Sequence, residues 1–148
     1  QPCGLELMYL LDTNVVSELR KVRSGRAAPQ VVQWASQVVP AALYISAITV
    51  LEIEMGILLM ERKDPAQSTL LRSWMNGHVL PAFSDRILPV DTAVALRCAR
   101  LHVPNPGADR DMLIASTALV HGLTLVTRNV VDFKSCDVAL LNPWDTSA

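Results

Sequence analysis

The sequence has few cysteines, few charged residues and no long apolar segment. Its three cysteines are an odd number without a paired spacing, which argues against a disulfide framework and favours a reducing compartment. Charged residues make up only 18% of the chain and hydrophobic residues 51%, which excludes a disordered protein. The longest apolar stretch, residues 38–51, is interrupted by Pro40 and is shorter than the roughly 18 residues that span a bilayer. These absences predict a cytoplasmic protein without a membrane segment.

The formal net charge of −1 gives the chain no overall excess of positive charge. Proteins that bind nucleic acid usually carry such an excess, so the charge argues against that class. The distribution of charge weakens the argument, because Arg20, Lys21, Arg23 and Arg26 lie within seven residues. Such a run is usually a solvated surface, but it also suits the binding of phosphates.

The length of 148 residues suits one domain with a single core. We assign residues 8–145 to that domain and interpret residues 1–7, which match no targeting pattern, as an N-terminal extension or cloning remnant outside the fold. The apolar patterns predict strands at residues 8–11, 43–45, 87–90, 123–127 and 138–141 and helices at 15–22, 30–39, 46–62, 66–80, 92–101 and 111–121. Their alternation predicts an α/β fold with a parallel sheet covered by helices on both faces.

Several acidic residues are expected near one edge of this sheet. Open parallel sheets bind ligands beyond the carboxyl ends of their strands. Asp12 ends the first predicted strand, Glu52 lies on the helix after the second, and Asp111 opens the helix before strand 123–127. Asn129 and Asp132 follow that strand. These side chains are far apart in sequence but are candidates to meet in space.

Each acid also has an ordinary structural interpretation. Asp12 suits the cap of the helix that follows it, and Asp111 suits a cap in the same way. The spacing Thr49-x-x-Glu52 fits a capping box, in which Glu52 would only start a helix. Glu54 is expected to face another direction and to meet solvent.

Two other chemistries are weakly supported. A haloacid-dehalogenase-like phosphatase also has an Asp at the end of its first strand, but it needs a second Asp two residues later, where this chain has Asn14. Cys98 and His102 have the i, i+4 spacing of zinc ligands, but no second pair follows at a suitable distance. A buried Cys98 is the better interpretation.

Five short motifs occur in the order seen in one known family. They are Leu10-Leu11-Asp12-Thr13-Asn14, Ser46-x-x-Thr49-x-x-Glu52-x-x-x-Gly56, Asp111-x-Leu113-Ile114-Ala115, Leu125-Val126-Thr127-Arg128-Asn129 and Asp132-Phe133. In this order they resemble the PIN-domain family, and the ending Leu140-Leu141-Asn142-Pro143-Trp144 resembles the VapC-type toxins of that family. The resemblance covers essentially residues 8–144.

The resemblance implies a three-layer α/β fold, with a twisted, mainly parallel central sheet flanked by helices, and endoribonuclease activity. Asp12, Glu52 and Asp111 would be the catalytic residues and the metal ligands. The family's fourth acidic position falls on Asn129 here, so Asp132 or Asp109 is the candidate for the missing charge.

The predicted acidic cluster itself indicates a cation. Two carboxylates about 4 Å apart repel by roughly 4 kcal/mol at an effective dielectric constant near 20. Oxygen ligands without His or Cys favour Mg²⁺ or Mn²⁺ over Zn²⁺. Asn14, Thr127 and Asn129 are then candidates to orient the carboxylates, and Arg128 and Arg20 are candidates to contact RNA phosphates.

The resemblance also implies partners. VapC-type toxins are held inactive by a co-expressed antitoxin, whose basic tail would insert an Arg into the acidic cleft. A homodimer is likewise expected, with the apolar helical faces at residues 57–60 and 70–74 as candidate interfaces. A PIN-like binding module that has lost its nuclease activity is the alternative, favoured by Asn129 at an expected acidic position. Which RNA would be cut stays open.

Overall fold

The computed structural model describes residues 7–145, in which five short strands form one sheet. The strands are β1 (Tyr9–Leu11), β2 (Leu43–Ser46), β3 (Ile87–Leu88), β4 (Thr124–Val126) and β5 (Leu140–Leu141). Their order is β3-β2-β1-β4-β5, and all four neighbouring pairs are parallel. The chain therefore starts in the middle of the sheet, builds one half, and returns to β1 to build the other. Ligands of such sheets bind at this reversal, between β1 and β4.

Helices connect the strands and cover the sheet. They are α1 (Thr13–Leu19), α2 (Pro29–Ser36), α3 (Ala47–Lys63), α4 (Pro65–Trp74), α5 (Leu80–Ala82), α6 (Thr92–Leu101) and α7 (Asp109–His121), with 3-10 turns at Pro40–Ala42 and Val130–Cys136. Asp91 caps α6 through Val94 N–H, as its place before the helix predicts. Gly122 ends α7 with a positive φ of 67°, which a residue without a Cβ adopts readily.

The two central strands are apolar on both faces. Leu10 and Leu125 pack in one core cluster with α7, and their neighbours Leu11 and Val126 pack in the other with α1 and α3. All four side chains have 0% exposure. Because successive strand residues point to opposite faces, this burial requires a helical layer on each side of the sheet. The expected three-layer α/β fold is confirmed, and every strand pair is parallel.

Two predicted helices differ from the structure. The helix expected at residues 66–80 is α4 followed by a π-helical turn, Met75–Val79, because Pro81 has no N–H to continue the regular bonding. The last helix before β4 begins at Asp109, so Asp111 lies inside its first turn and Ala108 is the cap.

The structure also bears on the cysteines and on a possible membrane segment. Cys98 and Cys136 are buried free thiols, and His102 accepts a hydrogen bond from Gly107 N–H, so the Cys98–His102 pair belongs to packing. In the part of the chain from residue 7 to residue 145, no helix has the length and apolar character of a membrane span. The interpretation of residues 1–7 as an extension falls outside the described residues, apart from Leu7.

Candidate active site

Asp12 lies where the chain leaves β1, at the reversal point of the sheet. It is only 5% exposed, and both of its carboxylate oxygens accept hydrogen bonds. One carboxylate oxygen accepts a hydrogen bond from Thr13 N–H at 2.7 Å, so Asp12 does cap α1. The other oxygen accepts from the Thr127 hydroxyl at 2.7 Å and from the Asn14 amide at 3.3 Å. The Asp12 carboxylate is therefore fixed from both β1 and β4.

Asn14 joins the loops that follow these two strands. Its amide nitrogen donates to Asp12 and lies 3.4 Å from the Thr127 hydroxyl, while its amide oxygen accepts from Arg128 N–H at 3.2 Å. Asn129 contributes its backbone N–H to the Thr127 hydroxyl at 3.0 Å. The structure thus brings together the three polar residues that the sequence suggested as orienting groups.

Glu52 approaches from α3 and is not a helix-start residue. Ser46 caps α3 by accepting from Ile48 N–H at 2.9 Å, so the capping-box interpretation of Glu52 is wrong. The Thr13 hydroxyl donates to one carboxylate oxygen of Glu52 at 2.6 Å, and Arg110 Nε lies 3.4 Å from the other. Glu52 therefore faces the Asp12 loop across the space between α1 and α3.

Three site residues were missed from the sequence. Thr13 and Arg110 contact Glu52, and the Thr49 hydroxyl lies 3.1 Å from that of Thr13. Only Thr49 carried a readable signal, because a residue three positions before Glu52 lies on the same helical face. The other two contacts depend on tertiary packing.

Asp111 and Asp132 lie on the same side of the site, whereas Asp109 does not. Asp111 and Asp132 line one cavity together, and the charge of Asp132 raises the pKa of Asp111. Asp109 has a side chain that is 93% exposed and lies 3.7 Å from His102 Nε2. Successive helix positions are about 100° apart, so residues two positions apart face nearly opposite directions. The fourth carboxylate near the cluster is therefore Asp132.

Mutual repulsion and burial act on these carboxyl groups. Burial raises the pKa of Asp12 above its ordinary value; hydrogen bonds from Thr127 and Thr13 oppose this rise, and the charges of Asp111 and Glu52 add to it. Burial, followed by the charges of Glu52 and Asp132, raises the pKa of Asp111, and only Arg110 opposes it. The neighbouring acidic charges thus disfavour the ionisation of Asp12 and Asp111, and a cation would stabilise their charged forms.

The donor groups fit a hard divalent cation. The Asp12 carboxylate accepts hydrogen bonds from the Thr13 N–H, the Asn14 amide and the Thr127 hydroxyl, and no His or Cys of residues 7–145 is among its hydrogen-bond partners. Within residues 7–145, no three His, Cys, Asp or Glu side chains are grouped closely enough to enclose a metal ion. Mg²⁺ in proteins is usually bound by one or two carboxylates, and water completes its octahedron. The arrangement therefore suits an open site of that kind and not a closed structural site.

The remaining sequence candidates occupy the edges of the site. Arg128 follows β4, and its guanidinium lies 5.1 Å from the centre of the Trp144 ring. Arg20 follows α1 and lies 5.9 Å from the centre of the Trp74 ring. Glu54 points away, as expected, but forms an ion pair with Arg72 of α4 and is not simply solvated.

A cavity of about 490 Å³ lies away from the acidic cluster. It lies between α2 and β5 and is lined by neutral amides, among them Gln30, Gln33 and Gln37, together with Trp34. No carboxylate of the cluster lines it. We place the site by its chemistry, at the carboxyl ends of β1 and β4.

Asp111→Asn is expected to give a higher melting temperature than Asp109→Asn in metal-free buffer near neutral pH. The raised pKa of Asp111 means that the folded state holds this proton more tightly than the unfolded state, so the charged form costs stability above the ordinary Asp pKa. Both variants remove one charge from the first turn of α7, so their difference isolates the repulsion within the cluster. In a domain of this size 1 kcal/mol changes the melting temperature by about 4 °C.

Scanning calorimetry in EDTA measures this difference. The difference should shrink as the pH falls towards the ordinary Asp pKa of about 3.9 and vanish well below it, where the Asp111 carboxyl is protonated in both states. Equal melting temperatures for the two variants at neutral pH would contradict the repulsion.

Comparison with known proteins decides the family. The family model described as PIN domain matches residues 9–137, which include every residue of the site. The chain belongs to the PIN-domain family. The resemblance inferred from the five motifs is thereby confirmed, and the haloacid-dehalogenase-like alternative is excluded.

Relatives of this PIN domain extend the match to 93% of the chain. It is 37% identical over 142 residues to Toxin FitB of Neisseria gonorrhoeae and 35% identical over 143 residues to VapC ribonuclease Y4jK of Sinorhizobium fredii. Each alignment covers 93% of this chain and 99% of the relative. The crystal structure of FitAcB from Neisseria gonorrhoeae superposes with a TM-score of 0.83 at 36% identity, covering 93% of this chain and 99% of that one.

Proposed function

We propose that this PIN domain is a Mg²⁺- or Mn²⁺-dependent endoribonuclease that acts in the cytoplasm as the toxin of a toxin–antitoxin pair. The observation that carries the proposal is the buried Asp12 carboxylate at the β1–β4 reversal, within electrostatic reach of Glu52 and Asp111. The relatives named as a VapC ribonuclease and a toxin support the reaction class.

Asp12, Glu52 and Asp111 would hold the metal, one or two of them directly and the others through its water molecules, with Asp132 as the fourth carboxylate. When bound, a divalent cation would stabilise the charge that develops on the phosphate oxygens and lower the pKa of the attacking water. The cluster's own negative charge repels a phosphodiester, so cleavage requires that this charge be neutralised first.

The neighbouring residues hold the carboxylates in place. Thr127, Asn14 and Thr13 N–H occupy lone pairs of Asp12 and leave its carboxylate little freedom to rotate. The Thr13 hydroxyl does the same for Glu52. Such preorganisation lowers the reorganisation that the reaction requires. Asn129 supports Thr127, and Arg128 is proposed to contact a phosphate of the RNA.

Incubation with a mixed RNA pool tests the activity and its metal dependence together. We expect cleavage with Mg²⁺ or Mn²⁺ and none with EDTA, because the cluster repels the substrate without a cation. The same ions should stabilise the folded chain, by about 2.7 kcal/mol at a hundred times the dissociation constant. This corresponds to a rise of about 10 °C in melting temperature. Metal-dependent stabilisation without cleavage of any RNA would favour the non-catalytic binding module.

The acidic cleft is also the proposed binding site of an antitoxin. An anionic cleft suits an antitoxin tail that inserts an Arg side chain, which would compete with both metal and RNA. We also propose a homodimer. The candidate dimer surface at residues 57–60 of α3 cannot include Ile57, because this residue is 1% exposed and belongs to the core. The exposed apolar side chains there are Leu51, Met55, Leu58 and Leu59. The second candidate face retains Leu70, with 64% exposure.

A further inference from the structure

A groove runs from the acidic cluster along α1 and α4. Its inner part, a cavity of about 260 Å³, is lined by Thr13 and Glu52 at one end and by Arg20 and Trp74 at the other. A second cavity of about 380 Å³ is also lined by Arg20 and Trp74 and extends outward to Arg23. The two cavities are adjacent, because Arg20 and Trp74 line both of them, and Glu52 lines the inner one.

The outer part of this groove carries positive charge that is available to a ligand. Within residues 7–145, neither Arg20 nor Arg23 forms an ion pair, whereas the neighbouring Lys21 is paired with Glu18. The Arg20 guanidinium is held against the Trp74 ring and is not neutralised by a carboxylate. Although the net charge of the chain is −1, the charges along the groove are separated. The acidic Glu52 lines the inner part, and Arg23 lines the outer part.

We infer that this groove, called here the α1–α4 groove, binds single-stranded RNA and leads it to the acidic cluster. Trp74 stacks on a base, and Arg20 and Arg23 neutralise phosphates of the same strand. Proteins bind single strands by this combination of an aromatic face and unpaired cations along a groove. The inference rests on the proposed function, because it identifies where that reaction's substrate lies.

The charges favour a nucleic acid over a protein segment in the groove. A phosphodiester at the acidic cluster is repelled by three or more carboxylates, so the attraction that holds the strand must come from groups beside the cluster. Arg20 lines both cavities and is the cation through which the inner and outer parts meet.

Fluorescence anisotropy with a labelled oligouridylate of about eight nucleotides tests the inference. The titration is made in EDTA, so that the oligonucleotide is not cut. Arg20→Gln should weaken binding several-fold and reduce the slope of log K against log salt by about 0.7, the value for one phosphate contact on a single strand. Arg100→Gln, an equal change of charge on exposed α6 in the opposite helical layer, should alter neither.

Trp74 requires a separate variant because it also contacts the core. Trp74→Leu should weaken binding about tenfold without changing the salt slope, since stacking neutralises no phosphate. Trp74→Tyr keeps a stacking face and should restore most of the affinity. If Trp74 only supported the fold, Trp74→Leu would not lower the affinity while leaving the salt slope unchanged.

Three outcomes would overturn the inference. They are no binding of the oligouridylate at low salt, equal affinities of the wild type and Arg20→Gln, and an Arg100→Gln effect as large as that of Arg20→Gln. The groove would then be left to a protein segment such as the antitoxin tail. Failure of the ribonuclease proposal has a different signature, which is groove-dependent binding without cleavage by any divalent ion.

Discussion

Asp12→Asn is expected to lower RNA cleavage by about 10³-fold or more while the chain stays folded. Asn keeps the shape of the side chain, and one oxygen remains to accept hydrogen bonds. It removes the negative charge that would bind the cation at the buried end of the cluster. Cleavage of a fluorescent RNA in the presence of Mn²⁺ measures the loss, and circular dichroism checks the fold.

Asp109→Asn is the matched control for this prediction. It makes the same chemical change near Asp111, but on a side chain that is 93% exposed and turned towards His102. Cleavage by Asp109→Asn should equal that of the wild type. Full activity in Asp12→Asn would remove Asp12 from the reaction and with it the proposed centre of the site.

Phe133→Ala is expected to destabilise the fold by about 3–5 kcal/mol, the usual range for a buried phenylalanine. Phe133 is 1% exposed and anchors the Val130–Cys136 turn in the core cluster that contains Leu125. At about 4 °C per kcal/mol the melting temperature should fall by roughly 12–20 °C. Thermal unfolding followed by circular dichroism gives the value.

The same turn offers a control for the Phe133 prediction. Val131 lies two residues away and is 72% exposed, so Val131→Ala should change the melting temperature by only about 2 °C or less. Because Asp132 lies between them, Phe133→Ala should also weaken metal-dependent stabilisation. A loss below 1 kcal/mol would mean that Phe133 does not anchor the turn.

The strands, most helices and the parallel sheet could be predicted from local sequence patterns. The doubly apolar segments around Leu10 and Leu125 indicate strands buried on both faces, and their alternation with helices indicates parallel pairing. The π-helical turn could not be predicted, because the N–H that Pro81 lacks does not by itself specify which helical form the preceding turn adopts. The start of α7 at Asp109 was missed because Ala108 offers no capping side chain.

The site could be predicted in its acids but not in the contacts that hold them. Asp12, Glu52 and Asp111 follow from strand ends and family motifs. The bond from Thr13 to Glu52 joins residues 39 positions apart, and no local pattern encodes such a distance. The choice between Asp109 and Asp111 depends on where the helix begins, since one residue of shift rotates each side chain by about 100°.

The reversal of the chain at β1 affects how the protein is made. Asp12 is synthesised early, but β4 and the Thr127 hydroxyl that hold it come 115 residues later. A growing chain on the ribosome therefore displays an unsupported Asp12 while the next 115 residues are synthesised, at about 5–20 residues per second. Asp12 can thus be held in place only after β4 has been made, so the proposed antitoxin would have several seconds to be present before its target exists.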